Sequence, residues 1–161
     1  MKYIGAIKEA EKRKDEIAKS IERWKKKRPK NLDAAFHREH ESVFRKIDCL
    51  ECANCCKTTS PIFRDVDIRR IAKYLKMKPS DFEDFYLKTD DEGDWVLKQS
   101  PCHFLSTDHT CNIYDIRPLA CREYPHTDRK RMVQILDLTQ ANTLICPAVS
   151  DIVLNLTEKG V

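Results

Sequence analysis

At 161 residues with 41% hydrophobic content, the chain is long enough for one ordinary domain and a small appendage. No window approaches the roughly 18 uninterrupted apolar residues of a membrane span, and the start MKYIGAIKEAEKRKDE carries charges where a signal peptide needs its apolar run, so a soluble cytoplasmic protein without membrane association is expected. The net charge of +4 is uneven, with 15 Lys and Arg against 8 Asp and Glu in residues 1–47.

Residues 2–27 read as one helix, with Ile4, Ile7, Ala10, Ile17, Ile21 and Trp24 on approximately one face and Pro29 beyond its end. This amphipathic helix would pack on the core or pair with a copy of itself, which leaves the oligomeric state open. The basic run RWKKKRPK at 23–30 fits a solvated helix end that complements the helix dipole; its alternative is a nucleic-acid or acidic-partner surface. A second helix is expected from Asn31, with Leu32, Ala35, Phe36, Val43, Phe44 and Ile47 at spacings of three and four. His37 and His40 lie within it without a third nearby donor, and read as packing or solvated side chains.

Two short helices separated near Pro79 are expected next. The first carries Val66, Ile68, Ile71, Ala72 and Leu75; the second has a Ser80–Glu83 capping box and a core face of Phe82, Phe85, Tyr86 and Leu87. The pattern then turns to β. WVLKQ reads as a strand and PCHFLSTDHTCNIY as a hairpin turning at STDH, which would set Cys102 opposite Cys111. Asp115 and Pro118 predict a short helix carrying Cys121, with Pro118 in its first turn. RMVQILDL reads as a strand, and CPAVSDIVLNL as the C-terminal helix. The expected fold class is α+β: a small metal-organised domain over 48–161, with short helices and a β-hairpin, preceded by an N-terminal helical pair over 1–47.

The eight cysteines carry the chemistry. A reducing compartment keeps thiols free, so a dense pattern there points to metal before disulfide. Cys49, Cys52, Cys55 and Cys56 form C-x2-C-x2-C-C, and Cys102, Cys111, Cys121 and Cys146 complete a set twice that of a tetrahedral zinc or a four-iron cluster. The adjacent pair Cys55 and Cys56 would point to opposite sides of an extended backbone and serve two centres, or face a single cluster across a kink. Lys57, Arg64, Arg117 and Arg122 lie close in sequence to offset thiolate charge, and His103, His109 and His126 are substitute ligands. Zinc and an iron-sulfur cluster both remain open: C-x2-C-x2-C and Cys146-Pro147 match parts of a bacterial ferredoxin loop, but the spacing between them does not.

CLECANCC, DVDIRRIAKYLKMKPSDFEDFY, PCHFL, CNIYDIRPLACREYP and the late CP together resemble the YkgJ-like family of zinc- or iron-chelating proteins, named for its CxxCxxCC motif, across Cys49 to about Pro147. The resemblance implies cysteine-ligated metal at Cys49, Cys52, Cys55, Cys56, Cys102, Cys111 and Cys121, with Cys146 the eighth. Family members often have Gly at the position of Ala53. Some carry the label of iron-sulfur oxidoreductases, and a related group resembles flagellin lysine methylases, but this chain lacks a glycine-rich cofactor loop for methyl transfer.

The leading expectation is a metal-binding protein chelating zinc or an iron-sulfur centre. Its rivals are an iron-sulfur redox enzyme or electron carrier, with Tyr114 and Tyr124 beside candidate ligands, and a zinc-stabilised nucleic-acid binder. The separation of the basic run from the cysteines, with Trp24 as its only aromatic, argues against nucleic acid. A protein partner is left open.

Overall fold

The structure, a computed structural model, describes residues 3–161, so the start of the first helix expected at Lys2 lies outside the described residues. The fold is α+β. In chain order its elements are α1 (Ile4–Lys12), α2 (Lys14–Lys27), α3 (Leu32–Phe44), α4 (Cys49–Cys52), α5 (Asn54–Thr58), α6 (Asp65–Tyr74), α7 (Pro79–Tyr86), β1 (Leu87–Thr89), β2 (Trp95–Leu97), α8 (Leu119–Glu123), α9 (Leu136–Asn142) and α10 (Pro147–Glu158), with 3-10 turns at Tyr114–Ile116 and Met132–Ile135. They form two compact units, Met1–Cys52 with Pro125–Val161, and Ala53–Tyr124.

The first unit is a helical core. Ile17, Ile21 and Trp24 of α2 are buried, as are Ala35, Phe36 and Val43 of α3. They cluster with Val149, Ile152, Val153 and Leu156 of α10. Trp24 meets Phe36 edge-on at 5.8 Å between ring centroids, an arrangement that adds to their area burial. α10 is apolar around most of its circumference because α1, α2 and α3 all pack on it. The first helix therefore finds its partner within its own chain. The continuous helix expected to run to residue 27 is interrupted at Arg13, whose side chain bonds Glu16 and, at 2.6 Å, Glu158 of α10. No Pro or Gly marks that break.

RMVQILDL is not a strand. Asp33 accepts the backbone N–H groups of Arg131 and Met132 at 2.7 and 2.8 Å, and the chain turns there into 3-10 and then α-helix. Met132, Leu136 and Thr139 are buried at helical spacing. A short apolar run fits either period, and tertiary capping decided between them.

The second unit has its own smaller core, of Phe63, Ile68, Ile71, Phe82, Leu87, Leu97, Phe104 and Ile113 among others. α6 and α7 form as expected, but Val66 and Phe85 face outward, 45% and 64% exposed. The Ser80–Glu83 capping box does not form, because α7 begins at Pro79 with Lys78 as its cap, two residues ahead of Ser80. The reciprocal bond occurs on α6 instead, where Asp67 accepts the Arg64 backbone N–H at 3.2 Å.

β2 pairs antiparallel with β1, with Leu87 opposite Leu97, Lys88 opposite Val96 and Thr89 opposite Trp95. The β-hairpin thus spans 87–97. The hairpin expected over PCHFLSTDHTCNIY shrinks to one bridge, Leu105 opposite Cys111, closed by the Ser106 N–H to Thr110 O bond of 2.8 Å. Cys102 is therefore not the cross-strand partner of Cys111. Pro118 sits at the cap of α8, just ahead of the first turn, and Cys121 lies within that helix.

Candidate metal centre

All eight cysteines are free thiols. Cys55, Cys56, Cys102, Cys111 and Cys121 belong to the 53–124 unit; Cys49, Cys52 and Cys146 belong to the other.

Within 53–124, short segments bring four thiols into electrostatic reach of one another. Cys56 lies on α5, and its carbonyl accepts the Cys102 N–H at 2.7 Å, which ties the first cysteine segment to the third. The next two donors, Cys111 and Cys121, follow on the bridge and on α8. Burial pushes the Cys121 thiol up to about 12, and the charges of Cys56, Cys102 and Cys111 add to the rise. Cys102 is raised by burial and by Cys56 and Cys111; Cys111 is raised by burial and by Cys56. Cys56 goes the other way, to about 7, chiefly through its hydrogen bond with Cys55 and, against burial, with help from the Lys57 charge.

Raised in this way, Cys102, Cys111 and Cys121 stay protonated near neutral pH, and a metal bound among them would have to displace their protons. Against that upward push, some neighbours favour the anionic form of sulfur. Backbone N–H groups of Phe104 and Leu105 donate to Cys102, the N–H of Ile113 donates to Cys111, and the Arg117 charge favours the thiolates of Cys111 and Cys121. Backbone donors and nearby cations of this kind orient and stabilise metal-bound thiolates. Cysteine sulfur is the donor chemistry that thiophilic metals take. Among the described residues, no group of three or more His, Cys, Asp or Glu side chains is placed so that it could hold a metal ion.

The other unit holds a smaller version. Cys49 and Cys52 lie on α4, and Cys146 is the N-cap of α10. Burial raises Cys146 to about 11, opposed by the backbone N–H groups of Val149 and Ala148, and the charges of Cys49 and Cys52 raise it further. The CC pair did not take the extended form on which the opposite-sides expectation rested. Its backbone is helical, and its two thiols bond each other.

Asp67 and Arg70, which no spacing pattern singled out, support the Cys121 segment. The Asp67 side chain is fully buried and accepts from Arg64 Nε at 3.0 Å, Arg70 Nη2 at 2.7 Å and the Leu119 N–H at 3.3 Å. Arg70 also donates to the carbonyls of Ile116 and Arg117 at 3.1 and 2.9 Å. Helix α6 thereby grips the backbone leading into α8. An acid in a first helical turn ordinarily reads as a dipole complement, which hid this role. Arg64, expected beside a thiolate, is committed to Asp67.

The expected substitute ligands have other surroundings. His103 sits edge-on to Tyr86 at 4.6 Å, and His109 occupies a turn position at φ 69°. His126 lies in the helical unit, at φ 65°. His37 and His40 bond Arg129 O and Thr127 Oγ1, both at 2.8 Å. Tyr114 is stacked under the Arg117 guanidinium, 3.8 Å from ring centroid to Cζ.

No helix among the described residues is long and apolar enough to cross a membrane. Comparison with curated proteins finds no match, and comparison with solved structures finds none. The family model described as "CxxCxxCC: Putative zinc- or iron-chelating domain" matches residues 48–147, more than half of the chain and every cysteine in it. The chain belongs to the CxxCxxCC family of zinc- or iron-chelating domains.

Proposed function

We propose that the chain holds a metal centre through the thiolates of Cys56, Cys102, Cys111 and Cys121, and that Cys49, Cys52 and Cys146 supply a second thiolate-rich site in the helical unit. Cys55, bonded to Cys56, is the fifth donor of its own unit. The observation that carries this reading is the shared electrostatic burden of four thiols in one small unit, met by backbone N–H donors and by Lys57 and Arg117. Zinc held there would be redox-silent and would organise the fold, whereas iron would add electron transfer.

Free thiols and this chemistry belong to a reducing compartment, and we place the protein in the cytosol. The iron reading draws on a specific feature: N–H donors to sulfur are a known means of tuning the potential of iron-thiolate centres.

Elemental analysis and an absorption spectrum of protein purified without oxygen test the proposal. Colourless protein with stoichiometric zinc supports a structural site, and brown protein with iron and sulfide supports a redox centre. Protein that carries no metal, or that keeps its full complement in C102A and C121A, would overturn the four-thiolate assignment.

A further inference from the structure

The basic run at 23–30 is not used by the metal centre, and the structure places its end at a cleft. In the helical unit, a cavity of about 360 Å³ is lined by Arg28, Lys30, Asp33, Arg131 and Gln134, with Pro29, Leu32 and Val133 forming apolar wall. Arg28, Lys30 and Arg131 are exposed, and among the described residues none of their side chains has a hydrogen-bond or ion-pair partner. The cleft's carboxylate does not pair with them. Both Asp33 oxygens are taken by the backbone N–H groups of Arg131 and Met132.

Two of these cations are held in a backbone region that disfavours them. Arg28, the C-cap of α2, has φ 46° and ψ 61°, and Arg131 has φ 61° and ψ 50°. Glycine is the usual residue at a left-handed helix C-cap, and side chains kept there despite the strain cluster at ligand sites. Both strained arginines face one cleft. Trp24, the aromatic of the basic run, is fully buried against Phe36 and offers no surface on which a base could stack.

We propose that this cleft binds a small phosphomonoester, with Arg28, Lys30 and Arg131 on the phosphate. Three cations and one carboxylate leave a surplus of two positive charges, which matches a phosphate dianion. Guanidinium forks suit its oxygens, and a concave site of this volume has room for a small attached group.

The test is calorimetric titration of the intact metal-loaded protein with inorganic phosphate, glycerol 3-phosphate and glycerol. Saturable 1:1 binding of glycerol 3-phosphate, none of glycerol, and at least tenfold weaker binding in R28G, R131G and K30Q are expected. Because glycine accepts positive φ, R28G and R131G should hold or raise the thermal midpoint while losing the ligand, a pairing that a merely structural role would not produce. Absence of saturable binding of either phosphate compound, or unchanged affinity in the R28G/R131G double variant, would overturn the proposal. So would an oligonucleotide that binds where glycerol 3-phosphate does not. Saturation by inorganic phosphate with no gain for glycerol 3-phosphate would overturn the ester and leave a free-phosphate site.

Discussion

The two units reach a folded state by different means. Among the described residues, the 1–52 and 125–161 unit buries seventeen hydrophobic residues in one cluster, built on helices of up to 14 residues, whereas the 53–124 cluster has nine, and none of its unit's elements exceeds ten residues. A unit of about 70 residues with so small a core lies where folds commonly rely on a metal or disulfides. It also holds five of the eight cysteines. The difference teaches where a metal would matter most: the 53–124 unit would depend on the proposed Cys56, Cys102, Cys111 and Cys121 centre, whereas the helical unit, even with a site at Cys49, Cys52 and Cys146, stands on apolar burial.

Metal removal is the strongest way to break that comparison. Structural zinc in small peptides is worth about 10–16 kcal/mol, as much as a domain's whole net stability. Treatment with a strong chelator should strip amide-exchange protection from 53–124 and leave α2, α3 and α10 protected. Uniform loss across both units, or no loss in either, would contradict the division.

Core truncation sharpens it. Trp24→Ala and Phe82→Ala each remove a fully buried aromatic and should each cost about 3–5 kcal/mol of unfolding free energy. Only Phe82→Ala should also weaken metal affinity, measured by chelator competition, because folding and binding are coupled in its unit. Equal effects on affinity would mean that the metal stabilises the whole chain.

Asp67→Asn should cost about 2 kcal/mol, less than a fully buried ion pair because Arg64 is half exposed. The pH dependence has a definite sign. Against the upward push of burial, Arg64, Arg70 and the backbone N–H groups of Arg64 and Leu119 hold the Asp67 carboxyl at about 2, below the unfolded value of about 3.9. Its stabilisation is present in full above about pH 4 and is lost as the pH falls through about 2. Denaturant unfolding across that window should show the loss in the native sequence and a shallower slope in Asp67→Asn.

The smallest effect is a gain. Ala53, between the second and third cysteines, has φ 48° and ψ 18°, where an L-residue is strained. Ala53→Gly should stabilise the protein by up to about 1 kcal/mol, visible as a higher thermal midpoint. A lower midpoint would show that the methyl group packs better than its backbone strain costs.

Much of this was legible in the sequence, and the failures share a cause. Ile17, Ile21 and Trp24 announced their helix by period alone, as did Leu32, Ala35 and Phe36. The cysteine spacing and the CNIYDIRPLACREYP block announced thiolate chemistry and the family. Local pattern could not show that Asp33 would cap the 131–132 backbone and turn an apparent strand into α9, nor that Arg13 would reach Glu158 and interrupt its helix. The grouping of thiols was hidden for the same reason. Cys146 shares a unit with Cys49 and Cys52 across more than ninety residues, while the nearby Cys56 belongs with Cys102, Cys111 and Cys121. Asp67 was overlooked because its partners include backbone groups fifty residues away.

The central claim is that one unit supplies a complete ligand set. X-ray absorption at the metal edge of the full chain carrying C49A, C52A and C146A tests it most directly. The account predicts one retained centre, either zinc with four sulfurs at about 2.3 Å or iron in an all-sulfur shell. Loss of all metal, or a first shell containing nitrogen or oxygen, would contradict it.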